Sequence, residues 1–432
     1  MTRRLLIVSS VFPPLVAGGA QRMYQFAKLL PEHGWDTTVL TGKQPASIAL
    51  DAPAIAALSD HTAIITSWSP ASVVVTRGRA APRQGPRALV RHALRNVMKT
   101  VLFPDREVLW VPGAVVAGTR ALRERPHHAV LATYSPATNL IIGWALARAF
   151  RLPLIVDFRD LWATIQVAGA FISPLHRAAA MKLEGTVVRA ASRLTAVAPK
   201  MASHLAAAHG LANHDATSIT NGFDPADVAL AVDTRDSAPG PFRLVYSGSV
   251  HSDYNLEPFW RAMRAVVDRK QLRPDQLRIE FVGNLALDDV RRIGLEDYVD
   301  THPFVAHERV FDALGRADAL LVVETPGYYA EFGYAAKVFD YLLTGKPVLA
   351  LVEIGGNTHR LLEASRVGYC AEAHDQAALE QKIEAVLAQH GAKPRAVDVS
   401  ASPLRDFNRE LLVEKLGAVL DDMVAAEPHG RW

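Results

Sequence analysis

Short apolar runs alternate with helical patterns along the chain, and this alternation predicts its architecture. The segment 5–11 (LLIVSSV) is a nearly continuous apolar run, as expected of a strand that is covered on both faces. A turn-prone FPPLVAGG follows, and then Met23, Phe26, Ala27 and Leu30 recur at helical spacing. The rhythm continues through predicted strands at 130–134, 154–158, 193–198 and 216–222. Alternating β and α elements of this kind predict a mainly parallel sheet with helices on both faces.

The pattern lapses after Asp224 and restarts after Gly240. The segment between them, DPADVALAVDTRDSAPG, is typical of an interdomain linker. Further strands are predicted at 243–249, 277–283, 317–324 and 346–352. We therefore predict an α/β protein with one domain at 1–223, a linker at 224–240 and a second domain at 241–402. The tail 403–432 carries leucines near one stripe of a helix, which we expect to pack back on the first domain.

Composition sets limits on this picture. The chain has 432 residues, of which 50% are hydrophobic and 21% charged, and these are values of a globular protein with two or three domains. The single cysteine, Cys370, cannot form an internal disulfide, and no Cys/His group has the spacing of a zinc site. The composition therefore favours the cytoplasm, and neither a metal nor a cofactor is expected.

The N-terminus allows two interpretations. Arg3 and Arg4, an apolar run and then small residues have the order of a secretory signal peptide. The same residues also fit a first buried strand, a glycine-containing turn and a helix. Pro13 and Pro14 interrupt the apolar region, and cleavage near Ala20 would remove a core strand. We interpret the segment as the mature N-terminus of a cytoplasmic protein.

Charge is distributed unevenly although the net charge is only +3. No acidic residue occurs between His61 and Pro104, and a cationic stripe at four-residue spacing lies in that window: Arg87, Arg91, Arg95 and Lys99. A basic amphipathic helix of this type can lie in the interface of an anionic membrane or contact an acceptor. A solvated surface face is the alternative. Nucleic acid is not expected as a partner, because no aromatic-interleaved basic surface accompanies the stripe.

Glycines follow the first predicted strand of each half. In open parallel sheets, ligands bind beyond the carboxyl ends of the strands, at loops that lead into helices. Gly18 and Gly19 lie in such a loop in the first half, and Gly248, Ser249 and His251 lie in the second. Both loops offer backbone or side-chain donors to an anion. An ordinary turn is the alternative for both loops: the glycine pair alone favours the turn in the first, and the two explanations are equal in the second.

A helix predicted from about Tyr334 to Leu343 carries Lys337 and Asp340 on one face. An exposed ion pair is one explanation of this spacing. Alternatively, the carboxylate accepts bonds from ribose hydroxyls while the lysine neutralises a diphosphate.

Several segments together resemble one family. FDYLLTGKPVLAL resembles the donor-binding helix of glycosyltransferase family 4-like enzymes of the GT-B fold, and FPPLVAGGAQR resembles their N-terminal loop. VDFRDLW, LEGTVVRAASRLTAVAP, NGFD, FRLVYSGSV and FVG are similar to landmarks of a bacterial surface-glycan branch, in the same order. The resemblance covers most of the chain and both of its halves.

This resemblance implies two Rossmann-like domains facing across a cleft, with a nucleotide sugar bound by the second and an acceptor by the first. It implies retaining, metal-independent transfer. By position, Asp340 would hold the ribose, Gly18 and Gly19 would lie near the donor phosphates, and Lys337 would contact a phosphate or the sugar. Glu331 and Gly333 would lie against the donor sugar. Lys346 of the G-K-P turn would be structural.

The chain also departs from the family. Glu331 and Asp340 are nine residues apart where eight is usual, and the second carboxylate is usually a glutamate. The arginine and lysine that commonly clamp the diphosphate after the second domain's first strand are absent from SGSVHSDYNLEP. On the acceptor side the branch offers Asp157, Arg159 and Asp160, where Arg159 either braces the loop or takes part in catalysis.

Three functions remain open at this point. The first is a membrane-peripheral glycosyltransferase that acts on a glycan or lipid-linked saccharide in the synthesis of a bacterial surface polysaccharide. The second is a sugar-nucleotide epimerase on the same fold. The third is a relative that binds a nucleotide sugar without transferring it.

Overall fold

A computed structural model describes residues 2–14, 19–43, 55–68, 102–165, 171–212, 215–233, 240–248, 250, 254–303, 305, 307–325, 327–427 and 429–430. Its contacts divide the chain into two compact units. Unit 1 comprises Met1–Thr220 together with Val413–Trp432, and unit 2 comprises Asn221–Leu412. None of the helices in the described ranges is long and apolar enough to cross a bilayer.

Unit 1 is built on a seven-stranded parallel sheet with the order β3-β2-β1-β4-β5-β6-β7. Its central strands are fully buried, which explains their continuous apolar sequence: Leu5 to Val8 in the first strand are 0% exposed. The strands are β1 (Arg3–Val8), β2 (Trp35–Gly42), β3 (Thr62–Ser67), β4 (Ala129–Tyr134), β5 (Leu154–Phe158), β6 (Arg193–Ala196) and β7 (Ala216–Ser218).

Helices separate most of these strands. They are α1 (Ala20–Leu29), α2 (Val111–Glu124), α3 (Ala137–Phe150), α4 (Pro174–Ala190) and α5 (Pro199–His209), with 3-10 turns at Leu30–His33 and Arg106–Trp110. Two of them begin at conventional caps, since Ser173 Oγ accepts a bond from the His176 amide at the start of α4, and Pro199 is the first residue of α5.

Unit 2 repeats the same topology with six parallel strands in the order β10-β9-β8-β11-β12-β13. Its residues alternate between two apolar layers: Leu244 and Tyr246 of its first strand face one, and Val245 faces the other. The strands are β8 (Phe242–Ser247), β9 (Leu277–Val282), β10 (Val299–His302), β11 (Ala319–Val323), β12 (Val348–Leu351) and β13 (Gly368–Ala371).

The helices of unit 2 cover both faces of this sheet. They are α6 (Asp227–Asp233), α7 (Glu257–Lys270), α8 (Asp288–Ile293), α9 (His307–Arg316), α10 (Tyr328–Phe332), α11 (Val338–Thr344), α12 (Asn357–Ala364) and α13 (Gln376–Leu387), with 3-10 turns at Glu296–Tyr298 and Leu404–Phe407. The final helix, α14 (Arg409–Ala426), begins in unit 2 and belongs to unit 1 from Val413 onwards. Within unit 1, Asp421 of α14 accepts a bond from Trp35 Nε1 (2.8 Å) and pairs with Arg3.

The predicted fold class is confirmed, since both units are doubly wound α/β sheets of Rossmann type. The segment predicted as a linker differs, because it contains α6, whose Ala231 is 1% exposed in the core of unit 2. In each sheet the order in which strands are added reverses beside the first strand. This switch lies between β1 and β4 in unit 1 and between β8 and β11 in unit 2. Ligands of such sheets bind at these switch points, beyond the carboxyl ends of the strands.

Candidate functional site

A buried ion pair lies beyond the carboxyl end of the sheet in unit 1. Arg22 of α1 donates to Asp157 of β5 at 2.7 Å (Nη2 to Oδ1) and 3.0 Å (Nε to Oδ2), and Asp157 is 0% exposed. The hydroxyls of Thr195 and Thr133 donate to the same carboxylate at 2.7 and 3.0 Å. Burial alone would raise the pKa of Asp157, but the Arg22 charge and these bonds hold it below its ordinary value. Because both oxygens are occupied, this geometry favours a bracing role over the predicted catalytic one.

Arg159 follows β5 and lies beside Gly19. Its Nε and Nη2 donate to the carbonyl oxygens of Tyr134 (3.2 Å) and Ser135 (2.6 Å). A Cβ on Gly19 would collide with Arg159 Nη1, so the glycine makes room for the guanidinium. Nη1 forms no hydrogen bond with any residue that the structure describes. The structure therefore brings together two of the predicted site residues at this switch point.

A buried hydrogen-bonded pair, Glu184 and His209, supports the loop after β5, and the sequence assigned no role to either residue. Glu184 of α4 accepts a bond from the Ala163 amide (2.8 Å) and lies 2.7 Å from His209 Nε2 at the end of α5. Both side chains are almost completely buried. Glu184 belongs to the LEGTVVRAAS segment, and its position there was the only signal for it.

The corresponding end of the sheet in unit 2 is organised around Lys337, the residue that precedes α11. Its Nζ donates to Tyr246 Oη of β8 (2.8 Å) and lies 4.0 Å from the centroid of that ring. Tyr341, one turn later, is fully buried, and its hydroxyl accepts a bond from the Ser247 amide (2.8 Å). A Cβ built on Gly248 would lie 3.8 Å from Lys337 Cε. Lys337 and α11 are thus held at the carboxyl end of β8.

The surroundings of Lys337 are apolar and aromatic. Burial lowers the pKa of its amine to about 7 and raises the pKa of the Tyr246 phenol. No ion pair joins Lys337 to a carboxylate among the described residues. The two tyrosines that hold this site were not predicted from the sequence, since only their positions in RLVYSGS and FDYLL could have indicated them.

The end of β9 lies close to the same point. Gly283 has φ +137°, and a Cβ there would collide with the Gly248 carbonyl. Glycine at the end of the FVG segment therefore permits the loops after β8 and β9 to approach each other.

The remaining donor residues of the prediction lie on α10, α11 and the loop between them. Asp340 is half-buried, and Glu331 is exposed. Asn357 Nδ2, at the start of α12, donates to the carbonyls of Glu331 (2.9 Å) and Gly333 (3.1 Å). The Ala335 amide donates to Thr358 Oγ1 (3.0 Å). These bonds hold the segment 333–335 after α10 in a non-helical conformation, so α11 begins at Val338 and not near Tyr334 as predicted.

A carboxyl group with an unusual pKa stands at the end of β11. Glu324 Oε1 accepts a bond from the Thr358 hydroxyl (2.9 Å), and its buried Oε2 has no hydrogen-bond partner in the described part of the chain. Burial, with a smaller contribution from the charge of Glu353, raises the pKa of Glu324 to about 7. Thr358 connects this carboxyl to the loop that leads to Lys337.

Lys346 of the G-K-P turn is 2% exposed. Its Nζ donates to the carbonyls of Leu314 (2.9 Å), Gly315 and Ala317 (2.6 Å), which close the end of α9. This arrangement agrees with a structural role.

Other predicted residues are not brought together here. Asp160 forms no ion pair with Arg159 within the described ranges. Burial raises the pKa of its carboxyl, and the charge of Arg159 offsets part of that rise. Gly18, Ser249 and His251, and the stripe of Arg87, Arg91, Arg95 and Lys99, lie outside the described residues.

Comparison with known proteins provides a family for both parts of the chain. Residues 17–222 match the family described as "Glycosyl transferase 4-like domain", and residues 241–389 match "Glycosyl transferases group 1". A D-inositol 3-phosphate glycosyltransferase of Streptomyces scabiei is 26% identical over 254 residues, which are 55% of this chain and 55% of that protein. The match therefore spans little more than half of the relative's length.

Solved structures share the fold over nearly the whole chain. Sucrose-phosphate synthase from Thermosynechococcus elongatus has a TM-score of 0.68 at 17% identity, covering 98% of this chain and 100% of that one. UDP-GlcNAc 2-epimerase from Methanocaldococcus jannaschii has a TM-score of 0.52 at 9% identity, covering 98% and 100%. At these identities the likeness shows the fold alone, because one fold supports different reactions. The two domain matches, in this order and on these two units, show that the chain belongs to the glycosyltransferase 4-like family of GT-B fold.

Proposed function

We propose that this protein is a glycosyltransferase that moves a sugar from a nucleotide-sugar donor, bound by unit 2, to a glycan or lipid-linked saccharide acceptor, bound by unit 1. The observation that carries the proposal is the placement of Lys337. Its amine lies at the switch point of the second sheet, is fixed by Tyr246 and forms no ion pair with a described carboxylate. A cation in this position is available to a diphosphate.

Asp340 supplies the second donor contact. It follows Lys337 by three residues on α11, and the bond from Ser247 to Tyr341 pins that helix to β8. A carboxylate there is suited to accept bonds from two ribose hydroxyls. The family usually has a longer glutamate at this position, so the shorter aspartate requires the ribose to lie closer to the helix.

The chemistry proceeds with retention of configuration and without a metal ion. The acceptor oxygen bonds to the anomeric carbon, the bond from that carbon to the β-phosphate oxygen breaks, and the departing phosphate takes the acceptor's proton. No side-chain base is then needed. The protein's main contribution is electrostatic stabilisation of the leaving diphosphate, which is the role proposed for Lys337.

An acceptor with an anionic group fits unit 1. Arg159 uses Nε and Nη2 on backbone carbonyls, and its Nη1 forms no hydrogen bond with a described residue. The relative from Streptomyces scabiei is named for D-inositol 3-phosphate, which carries such a group. Phosphorylated cyclitols therefore belong in the acceptor panel beside glycans and lipid-linked saccharides.

The donor proposal is tested by screening UDP- and GDP-sugars by calorimetry and then replacing Asp340. We expect Asp340→Ala to weaken donor binding about tenfold to a hundredfold, since a hydrogen bond to a charged group contributes about 1.5–3 kcal/mol. Asp312→Ala, an exposed aspartate on α9, is the matched control and should bind as the unaltered protein does. Unchanged affinity in Asp340→Ala, with an unchanged melting temperature, would remove Asp340 from the site.

The reaction itself is tested by following the nucleoside diphosphate. Release that depends on an added acceptor supports transfer. Isomerisation of the donor without acceptor would identify an epimerase, which is a reaction named for one structural neighbour. Binding without either reaction would identify a non-catalytic relative, an alternative that the missing basic residues after β8 keep open.

We further propose that the protein acts in surface polysaccharide synthesis at the inner face of the bacterial membrane. Support comes from the cationic stripe of the sequence and from apolar side chains on unit 1, where Trp68 is 64% and Val116 72% exposed. Arg120 follows Val116 by one turn on α2 and is also exposed. Apolar groups beside basic ones favour an anionic membrane interface.

Cosedimentation with vesicles of phosphatidylglycerol and phosphatidylcholine tests this location. The unaltered protein should bind at low salt, and replacing Arg87, Arg91 and Arg95 together by glutamine should remove most of the binding, because each basic residue contributes about 1 kcal/mol. Replacing Arg261, Arg264 and Arg269 on α7 by glutamine lowers the net charge by the same amount and serves as the control. The membrane proposal fails if the unaltered protein stays in the supernatant.

A further inference from the structure

The amine of Lys337 is the starting point, because no carboxylate in the described part of the chain forms an ion pair with it. Its Nζ contacts the Tyr246 hydroxyl (2.8 Å) and lies 6.0 Å from the ring centroid of Tyr254. Among the described residues, these phenols are the titratable groups that face it from β8 and from the segment before α7. On its own helix, Tyr341 is engaged by Ser247, and Asp340 forms no ion pair with Lys337. No described element presents a carboxylate to the amine.

This environment disfavours the ammonium form. Transfer of a charge from water to a site lined by aromatic rings is costly unless an opposite charge accompanies it. Burial accordingly lowers the pKa of Lys337 to about 7, so that a large share of the amine is neutral in the free protein at pH 7 to 8. A neutral amine cannot stabilise a diphosphate by charge.

A bound diphosphate reverses this balance. Its negative charges at the end of β8 favour the ammonium form by direct attraction. We propose that Lys337 takes up a proton from solvent when the diphosphate of a nucleotide sugar binds, so that donor affinity decreases as pH rises above neutrality. One proton is gained by the amine for each donor bound, and no covalent bond is made or broken. This inference rests on the proposed donor site and adds the protonation step to it.

Lys337 also supplies the positive charge for a diphosphate that the loop after β8 lacks. The segment 247–258 contains neither arginine nor lysine. The structure brings Lys337 Nζ to that loop from the other side, 3.9 Å from a Cβ built on Gly248. The amine of Lys337, just before α11, therefore lies beside a loop that has no basic residue of its own.

The test is isothermal titration calorimetry of the full chain with UDP-glucose, UDP-N-acetylglucosamine and GDP-mannose. Their diphosphates are diesters, so the ligand itself does not titrate near pH 7. Each titration is run at pH 6 and pH 8 in two buffers of different ionisation enthalpy, and the difference in heat gives the number of protons taken up. We expect about 0.1 proton at pH 6 and about 0.9 at pH 8. Affinity should fall about fivefold between pH 7 and pH 8.

Three variants assign the proton. Lys337→Arg stays charged throughout and should bind without proton uptake. Lys337→Met fits among the rings, and it should lose uptake and bind at least about tenfold more weakly at pH 6. Glu324→Gln removes a described carboxyl of unit 2 whose pKa is raised to about 7 and which Thr358 connects to the Ala335 amide. This variant should keep the uptake.

The outcomes separate this inference from the donor site. Binding without proton uptake at pH 8, or uptake that persists in Lys337→Met, overturns the inference and leaves the donor site standing. Uptake that disappears in Glu324→Gln also overturns it, since the carboxyl would then be the titrating group. If none of the three nucleotide sugars binds at either pH while the protein remains folded, the donor proposal and this inference both fail.

Discussion

The two sheets end in the same topology but treat charge differently. In unit 1, the cation and anion at the switch point neutralise each other: Arg22 and Asp157 form a buried pair that two threonines complete. In unit 2, Lys337 has no carboxylate partner among the described residues, and Glu324 has an oxygen without a hydrogen bond there. The Arg22–Asp157 pair is complete as folded. Lys337 and Glu324 in unit 2, like Arg159 Nη1 in unit 1, leave charge or hydrogen-bonding capacity unused among the described residues.

This difference suggests how to distinguish a brace from a binding group in a duplicated architecture. A charged residue whose partners all come from its own fold contributes to stability, and its removal leaves a buried charge behind. A charged residue that the fold leaves unpaired raises the free energy of the free protein and becomes favourable when a ligand supplies the partner. Asp157 belongs to the first kind and Lys337 to the second.

The largest effect is expected from breaking the pair in unit 1. Asp157→Ala leaves the Arg22 guanidinium buried without its anion, and such a loss typically costs about 3–5 kcal/mol. Urea unfolding followed by circular dichroism should show this decrease in the free energy of unfolding. Asp60→Ala, at an exposed aspartate before β3 in the same unit, is the control and should change stability by less than about 0.5 kcal/mol.

A double replacement sharpens that result. Arg22→Met combined with Asp157→Leu removes both charges, and it should cost less than Asp157→Ala alone, because no uncompensated charge remains. If the double variant is the less stable of the two, the stability of unit 1 depends on the hydrogen bonds of Asp157 more than on the ion pair.

A smaller change in the free energy of unfolding, of opposite sign, is expected from replacing Glu324 in unit 2. The pKa of Glu324 is raised to about 7 in the folded protein from an ordinary value of 4.5. The folded state therefore binds more protons than the unfolded state between these values, and the stabilisation present below pH 4.5 is lost as pH rises through 7. The glutamine of Glu324→Gln cannot ionise, so the variant does not lose this stabilisation at high pH. Between pH 5 and pH 8, its free energy of unfolding should increase relative to that of the unaltered protein by on the order of 1 kcal/mol.

Glu363→Gln, at an exposed glutamate of α12, controls for the loss of one negative charge and should leave the pH dependence of unfolding unchanged. Equal pH dependence in Glu324→Gln and the unaltered protein would mean that the Glu324 carboxyl is already compensated. The contrast between the two sheet ends would then rest on Lys337 alone.

The helix that carries the donor residues shows how far the sequence could go. FDYLLTGKP correctly predicted a helix that ends at Gly345, because apolar spacing and a glycine C-cap are local signals. Its start was misplaced by about four residues. The pattern of 334–337 is helical, but the backbone before α11 bonds instead to side chains more than 20 residues away. Asn357 donates to the Gly333 carbonyl, and Thr358 accepts from the Ala335 amide.

The same limit applies to weaker elements. β3, β10 and β13 were not predicted, since each is short or partly exposed and lacks a continuous apolar run. The segment around α6 was interpreted as a linker because its aspartates, prolines and glycine are typical of a connecting segment and its apolar residues are mostly alanines. Only packing in unit 2 shows that Ala231 belongs to a core.

Local pattern sufficed for the α/β class, the two halves and the family, because buried parallel strands and their helices leave an apolar periodicity that does not depend on distant residues. The family and the fold class are both confirmed. Asp157 and Arg159 could be named from their position at the end of a predicted strand, and Lys337 from its helical spacing with Asp340. Their partners required the tertiary structure: pairing of Asp157 with Arg22, and of Lys337 with Tyr246, joins residues 135 and 91 positions apart. Whether a charge is compensated depends on such pairs and on burial, and neither is encoded in any short stretch of the chain.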